Sequence, residues 1–153
     1  MLTREESIRE IFEKHGDAVY VTNTGYMSRA VYSLYPDKES IFYMQGSMGI
    51  APCIGLGIAK NTTKDVVVLS GDAALLMHLG ITHSIRDANL PNLFVYVLDN
   101  GCHESVGGYD CSFLEKNYPG VTKIYKISND GKCPRVEVEC LENTKRVKDF
   151  LNA

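Results

Sequence analysis

The chain is 153 residues long and carries a formal net charge of -3, with 13 glycines, five cysteines and no tryptophan. That length is filled by one α/β domain, taken as spanning 1–153, and leaves no room for two ordinary ones. The weak acidic balance excludes a polyanion-binding surface, hence a nucleic-acid partner, and no segment reads as a transmembrane helix or secretory leader, which predicts a cytoplasmic protein away from membranes.

Thr3 and Glu6 stand at capping-box spacing and predict a helix through about Lys14. Asp17-Ala18-Val19-Tyr20-Val21-Thr22 then reads as a first strand, ended by Thr24-Gly25. A helix over 27–34 leads to Pro36, a strand covers 41–44, and a helix rich in small residues runs over 50–60, with Gly55 and Gly57 allowing close packing. Val66-Val67-Val68-Leu69 is the third strand, and 73–86 reads as one helix. Residues 93–98 form the fourth strand. Weaker strands at 124–127 and 136–139 are joined by a turn over 128–132, and Asn143 is placed to cap a last helix. Such βα alternation, without repeat or linker, predicts a doubly wound, mainly parallel sheet with helices on both faces.

The ends of the third and fourth strands carry the chemistry. Gly71-Asp72-Ala73 closes one and Asp99-Asn100-Gly101-Cys102 the other, and ligands of open parallel sheets bind at the strands' carboxyl ends. Asp72 offers a carboxylate oxygen, Asn100 an amide oxygen and the backbone beyond it a carbonyl, the hard donors that Mg2+ takes beside water and phosphate. The N–H groups that open the next helix, at Ala73 and Ala74, would face the same place, where a diphosphate needs donors. Asp72 alone could equally cap its helix, and Asn100-Gly101 alone is a common turn; their mutual register makes them ligand candidates. Cysteines at 53, 102, 111, 133 and 140 form no C-x-x-C pair, which points to free thiols and to neither zinc nor a thioredoxin motif.

The spacing resembles the GDG…NN signature of thiamine diphosphate (ThDP) enzymes, standing here as Gly71-Asp72-Ala73 and Asp99-Asn100. Ala73 replaces the second Gly and Asp99 the first Asn. The resemblance implies Mg2+ held by Asp72, Asn100 and the backbone carbonyl of Cys102, none of which the departures remove, while Ala73 requires ordinary φ values at its turn. Gly46-Ser47-Met48-Gly49 resembles the segment that meets the aminopyrimidine ring, which makes Met48 the apolar wedge beneath it; read alone, a Met at this place is more often a core gap filler, and the glycines around it tip the balance. Thr24-Gly25-Tyr26-Met27-Ser28-Arg29 and Asp99-Asn100-Gly101-Cys102-His103-Glu104-Ser105-Val106-Gly107-Gly108 extend the match, and from about Thr3 onward the chain is similar to sulfopyruvate and phosphonopyruvate decarboxylases.

That resemblance covers only a diphosphate-binding module. It implies the β subunit of a split 2-oxo acid decarboxylase, whose α subunit supplies the pyrimidine-binding module and an activating Glu, in a hetero-oligomer with equal α and β chains. Cofactor contacts are implied for Thr24, Gly25, Gly46, Ser47, Met48, Gly71, Asp72, Ala73, Ala74, Asn100, Cys102, His103 and Glu104. His103, in a Gly-bounded loop, is the candidate catalytic residue, as proton donor after decarboxylation or as hydrogen-bond donor to the anionic substrate; Glu104 is equally a solvated loop carboxylate. A sulfonate or phosphonate wants Arg, Lys or backbone donors, and Arg29 is a candidate, or else a surface helix residue. The split architecture leans to sulfopyruvate and coenzyme M biosynthesis, with phosphonopyruvate or an acetolactate-synthase-like carboligation as alternatives. A non-catalytic ThDP-binding or regulatory module is the alternative outside enzymes. Neither G-x-G-x-x-G after the first strand nor a P-loop is present. His78 and His83 read as structural.

Overall fold

Thr3 caps α1 (Arg4–His15) as its spacing predicts: its hydroxyl accepts the Glu6 N–H at 3.1 Å, and the Glu6 carboxylate accepts the Thr3 N–H at 2.8 Å. In this computed structural model, which describes residues 1–111, 117–128 and 131–153, the chain then alternates strand and helix. The elements are β1 (Val19–Thr22), α2 (Tyr26–Leu34), β2 (Ile41–Tyr43), α3 (Ala51–Ala59), β3 (Val66–Gly71), α4 (Asp72–Met77), α5 (Ile81–Ala88) and β4 (Leu93–Asp99). Two short strands, β5 (Cys102–His103) and β6 (Tyr109–Asp110), pair antiparallel; β7 (Lys123–Lys126) and α6 (Cys140–Asn152) follow.

The main sheet runs β2-β1-β3-β4-β7 and every pairing in it is parallel. Alternation along the strands sorts side chains to two faces. Tyr20, Val67, Leu69, Tyr96 and Leu98 meet Ile8, Ile11 and Phe12 of α1 and Met27, Ala30 and Val31 of α2. Val19, Val21, Val66, Val68 and Val95 meet Ala51, Leu56 and Ala59 of α3, Ile85 of α5 and Val147 of α6. Helices therefore cover both faces, as a doubly wound sheet requires. Gly55 lets α3 approach β3: a Cβ there would lie 2.2 Å from Val68 Cγ2, whereas one on Gly57 would meet nothing within 4 Å, so only Gly55 has the packing role expected of both.

The strand order decides where a ligand binds. From β1 the chain moves outward to β2, then returns across β1 to β3 and continues the other way to β4. The carboxyl ends of β1 and β3 thus flank the point where the winding reverses, which is where such sheets leave a crevice.

Three expectations are corrected. The helix over 73–86 is two helices: His78 closes α4 through its N–H to the Leu75 carbonyl (3.2 Å), and Ile81, Thr82 and His83 start a new series on His78, Leu79 and Gly80. Gly80 weakens helix continuity, and the His78 ring packs against Gly49, where an added Cβ would lie 2.6 Å from Nδ1. Residues 136–139 form no strand, although Val138 is buried in the core. The reason lies in the third correction. Asn143 does not cap α6, whose N-cap is Glu139; its buried amide accepts the Tyr43 N–H (2.9 Å) and donates to the Ile41 carbonyl (2.6 Å). Those are the outward-facing groups of edge strand β2, so the side chain takes the place of a sixth strand. Part of the turn expected over 128–132, residues 129 and 130, lies outside the described residues. No helix among the described residues is long and apolar enough to cross a membrane.

Candidate active site

The crevice at the ends of β1, β3 and β4 is lined by Thr24, Met48, Gly71, Asp72, Ala73, Ala74, Asn100, Cys102, His103 and Glu104, all singled out from sequence. Asp72, the first residue of α4, is only 3% exposed, and Asp99 beside it 2%. The Gly101 N–H points at both, 3.0 Å from Asp72 Oδ2 and 2.9 Å from Asp99 Oδ1. Burial raises the Asp72 carboxyl above the ordinary carboxylate value and the neighbouring Asp99 adds to it, against the Ala73 N–H and the Cys111 thiol, which lower it. The thiol donates to Asp72 Oδ2 at 3.3 Å. Burial first, then that hydrogen bond, push Cys111 up to about 12. Lys126 forms an ion pair with Asp99 from the exposed side.

Two adjoining buried carboxylates favour either a shared proton or a cation. The donors on hand are oxygens, as Mg2+ prefers, and a Cβ on Gly71 would meet no atom within 4 Å, which leaves space at the mouth of α4. Asn100 folds the loop around itself: Oδ1 accepts the Cys102 N–H at 3.1 Å and Nδ2 donates to Glu104 at 3.2 Å. Ala73 is helical, with no positive φ, as its substitution for Gly requires. The residues present fit Mg2+ and a diphosphate.

Met48 and His103 meet across the crevice, with His103 Nε2 3.2 Å from Met48 Sδ. A thioether has no proton to give, so that hydrogen bond needs the proton on Nε2. Met48 is held from behind by Asn23, whose Oδ1 accepts the Gly49 N–H at 2.9 Å while its Nδ2 donates to the Thr24 carbonyl at 3.0 Å. Gly49 has φ +91°, a left-handed conformation that an L side chain resists.

The other sequence candidates lie apart. Gly25 does not line the crevice, but a Cβ there would touch Met48 Cε at 3.4 Å. Gly46 and Ser47 line a depression with Phe42, Ile54 and Asn143, and Arg29 lines a pocket beside Gly25. Neither His78 nor His83 lines the crevice. Among the described residues, no three His, Cys, Asp or Glu side chains form a metal-binding group.

Sequence reasoning missed Arg4, Asn23, Asp99 as a charged neighbour, and Cys111. Arg4 is 3% exposed, lines the crevice, and pairs with Glu104 at 2.5 Å across 100 positions. Nothing in a single sequence links those two. Asn23 had a signal, a polar amide directly after an apolar strand at the reversal point.

A crevice at the winding reversal, with a buried carboxylate at a helix start and an Asn turn beside it, defines a nucleotide- or diphosphate-cofactor site. Residues 21–137 match the C-terminal TPP-binding domain of thiamine pyrophosphate enzymes, and the chain belongs to that family. It is 34% identical over 152 residues to the sulfopyruvate decarboxylase subunit beta of Methanocaldococcus jannaschii, covering 98% of this chain and 76% of that protein. It is 39% identical over 115 residues to the sulfopyruvate decarboxylase subunit beta of Methanothermobacter thermautotrophicus, covering 75% and 61%. It is 44% identical over 100 residues to the phosphonopyruvate decarboxylase of Streptomyces viridochromogenes, covering 65% of this chain but only 25% of that protein. The chain thus spans a quarter of the phosphonopyruvate enzyme and three fifths to three quarters of the two β subunits.

Proposed function

We propose that this chain is the diphosphate-binding subunit of a ThDP- and Mg2+-dependent decarboxylase acting on a small anionic 2-oxo acid, sulfopyruvate first, giving sulfoacetaldehyde and CO2. The observation that carries this reading is the convergence of Asp72, Asn100 and Cys102 with Met48 and His103 in one crevice at the switch point. Asp72, Asn100 Oδ1 and the Cys102 carbonyl would hold Mg2+, and the N–H groups of Ala73 and Ala74 would meet the diphosphate. Met48 supports the cofactor from below, with Thr24 on the crevice wall and Gly25 against Met48, while Gly46 and Ser47 act only by leading the chain into the Met48 turn. ThDP, when bound, supplies the electron sink that accepts the pair left by departing CO2. His103 donates a proton or a hydrogen bond on the substrate side. Glu104, held by Arg4 and Asn100, keeps the His103 loop in place.

Met77, Val106 and Tyr109 are exposed apolar side chains on α4 and the 101–111 loop, two elements that also supply lining residues of the crevice and so mark one side of it. We assign that side to an α subunit carrying the activating Glu, in a cytoplasmic assembly with equal numbers of both chains. The reaction then belongs to coenzyme M biosynthesis. The 44% identity over 100 residues favours phosphonopyruvate as the second reading. The test is aldehyde release from sulfopyruvate and from phosphonopyruvate, with Mg2+ and ThDP, by the chain alone and co-expressed with its genomic neighbour. Turnover that needs the neighbour supports the split enzyme, and the better acid names the substrate. ThDP binding without turnover of either acid removes the substrate assignment.

A further inference from the structure

We propose that Arg29 and Arg135 form a subsite for the tetrahedral oxyanion of a small dianionic ligand, next to the cofactor crevice and joined to it through Thr24. The two arginines line one polar pocket with Thr24, Gly25, Ser28 and Gln45, and Thr24 also lines the crevice. They come from opposite directions along the chain. Arg29 lies on α2, just after the end of β1, and Arg135 lies on the segment before α6, which forms neither helix nor strand.

Both are presented by anchored backbone. The Ser28 hydroxyl, next to Arg29, has the carbonyls of Asn23 (2.7 Å) and Met44 (3.0 Å) within reach of its single proton and lies 2.8 Å from Thr22 Oγ1, which ties α2 to the ends of β1 and β2. The Arg29 guanidinium carbon lies 5.2 Å from the Tyr26 ring centroid, a stack that orients its fork. Arg135 is tethered three residues on, where Gln45 Nε2 donates to the carbonyl of buried Val138 at 2.8 Å.

Charge identifies the ligand. Among the described residues neither Arg29 nor Arg135 has a carboxylate within ion-pair distance, unlike Arg4, Arg86 and Arg146. Two guanidinium groups on one concave surface repel each other until an anion lies between them, and their planar forks suit the oxygens of a sulfonate or phosphonate. In the proposed reaction, on which this inference rests, the subsite takes the end of the substrate remote from the carbon that loses CO2.

The test is calorimetric titration of the complex of this chain with its co-expressed partner, loaded with Mg2+ and ThDP, using sulfoacetate as probe and malonate as the planar dicarboxylate control. Sulfoacetate should bind saturably and more tightly than malonate. Arg29→Gln and Arg135→Gln should each weaken it at least tenfold, the loss of one charge-assisted contact, with Mg2+-dependent ThDP affinity unchanged. The inference is overturned if sulfoacetate does not bind, if malonate binds as well, if neither variant changes its affinity, or if ThDP affinity falls in parallel. Failure of the two readings can be told apart. Arginine-dependent sulfoacetate binding without decarboxylation keeps the subsite and removes the proposed reaction, whereas turnover of sulfopyruvate with unchanged KM in both variants keeps the reaction and removes the subsite.

Discussion

Asp72→Asn replaces a buried carboxylate of the crevice, with a second carboxylate beside it, by a neutral side chain of the same shape. Asp72 and Asp99 receive the same N–H, so their accepting oxygens lie no more than about 6 Å apart. At an effective dielectric of about 20 that separation corresponds to a bare repulsion of at least about 3 kcal/mol, which Lys126 offsets in part by neutralising Asp99. The Asn amide keeps an oxygen for the Gly101 N–H and offers an N–H to Asp99. The metal-free variant should therefore be more stable than the parent at pH 8, by roughly 1–3 kcal/mol, or about 2–10 °C in Tm. The pH dependence follows from the raised Asp72 value. The folded parent holds a proton that the unfolded chain has released, so its stability falls as pH rises through the folded-state value, and the advantage of the variant grows over that range. Toward pH 4 the unfolded chain begins to take up the same proton and the advantage shrinks. Mg2+ should reverse the order: it stabilises the parent by about 2.7 kcal/mol at a hundredfold excess over its Kd and leaves the variant unmoved. Thermal unfolding at pH 4, 6 and 8, with and without Mg2+, reads all of this. A variant less stable than the parent at every pH, or one that Mg2+ still stabilises, refutes the reasoning.

Gly49→Ala should cost about 1–3 kcal/mol in urea unfolding and weaken ThDP binding, because a Cβ at φ +91° lies 2.7 Å from the Ala74 carbonyl oxygen and can be relieved only by shifting the Met48 turn. Asn143→Ala orphans the Tyr43 N–H and the Ile41 carbonyl, a loss of about 2–4 kcal/mol, with faster amide exchange at Tyr43 as the local signature. Asn23→Ala should lower ThDP affinity with little change at the metal, measured as separate Mg2+ and ThDP titrations, since Asn23 holds the Gly49 N–H and not the Asp72 loop. Cys111 should resist thiol reagents in the native chain at pH 8, its thiol being buried and pushed up to about 12, while exposed Cys140 reacts at once.

Local sequence was enough for whatever rests on local physics. The capping box of Thr3 and Glu6, the short continuous apolar runs of β1, β3 and β4, and the polar residues at the carboxyl ends of the last two all depend on neighbours within a few positions, and they already placed Asp72 and Asn100 at one end of a parallel sheet. Whatever depends on pairing across the fold stayed hidden. Val136 and Val138 alternate like a strand, yet the edge they would join is occupied by Asn143, whose own pattern reads as a cap. The run 73–86 has helical composition throughout, but packing of His78 against Gly49 and the weakness of Gly80 divide it. Arg4 meets Glu104, and Arg135 shares a pocket with Arg29, across about a hundred positions of chain, because the parallel strand order brings distant segments to adjoining pockets at the carboxyl end of the sheet. Single-sequence patterns carry hydrophobic period and turn chemistry; which distant charges become neighbours is decided only when the sheet order is set.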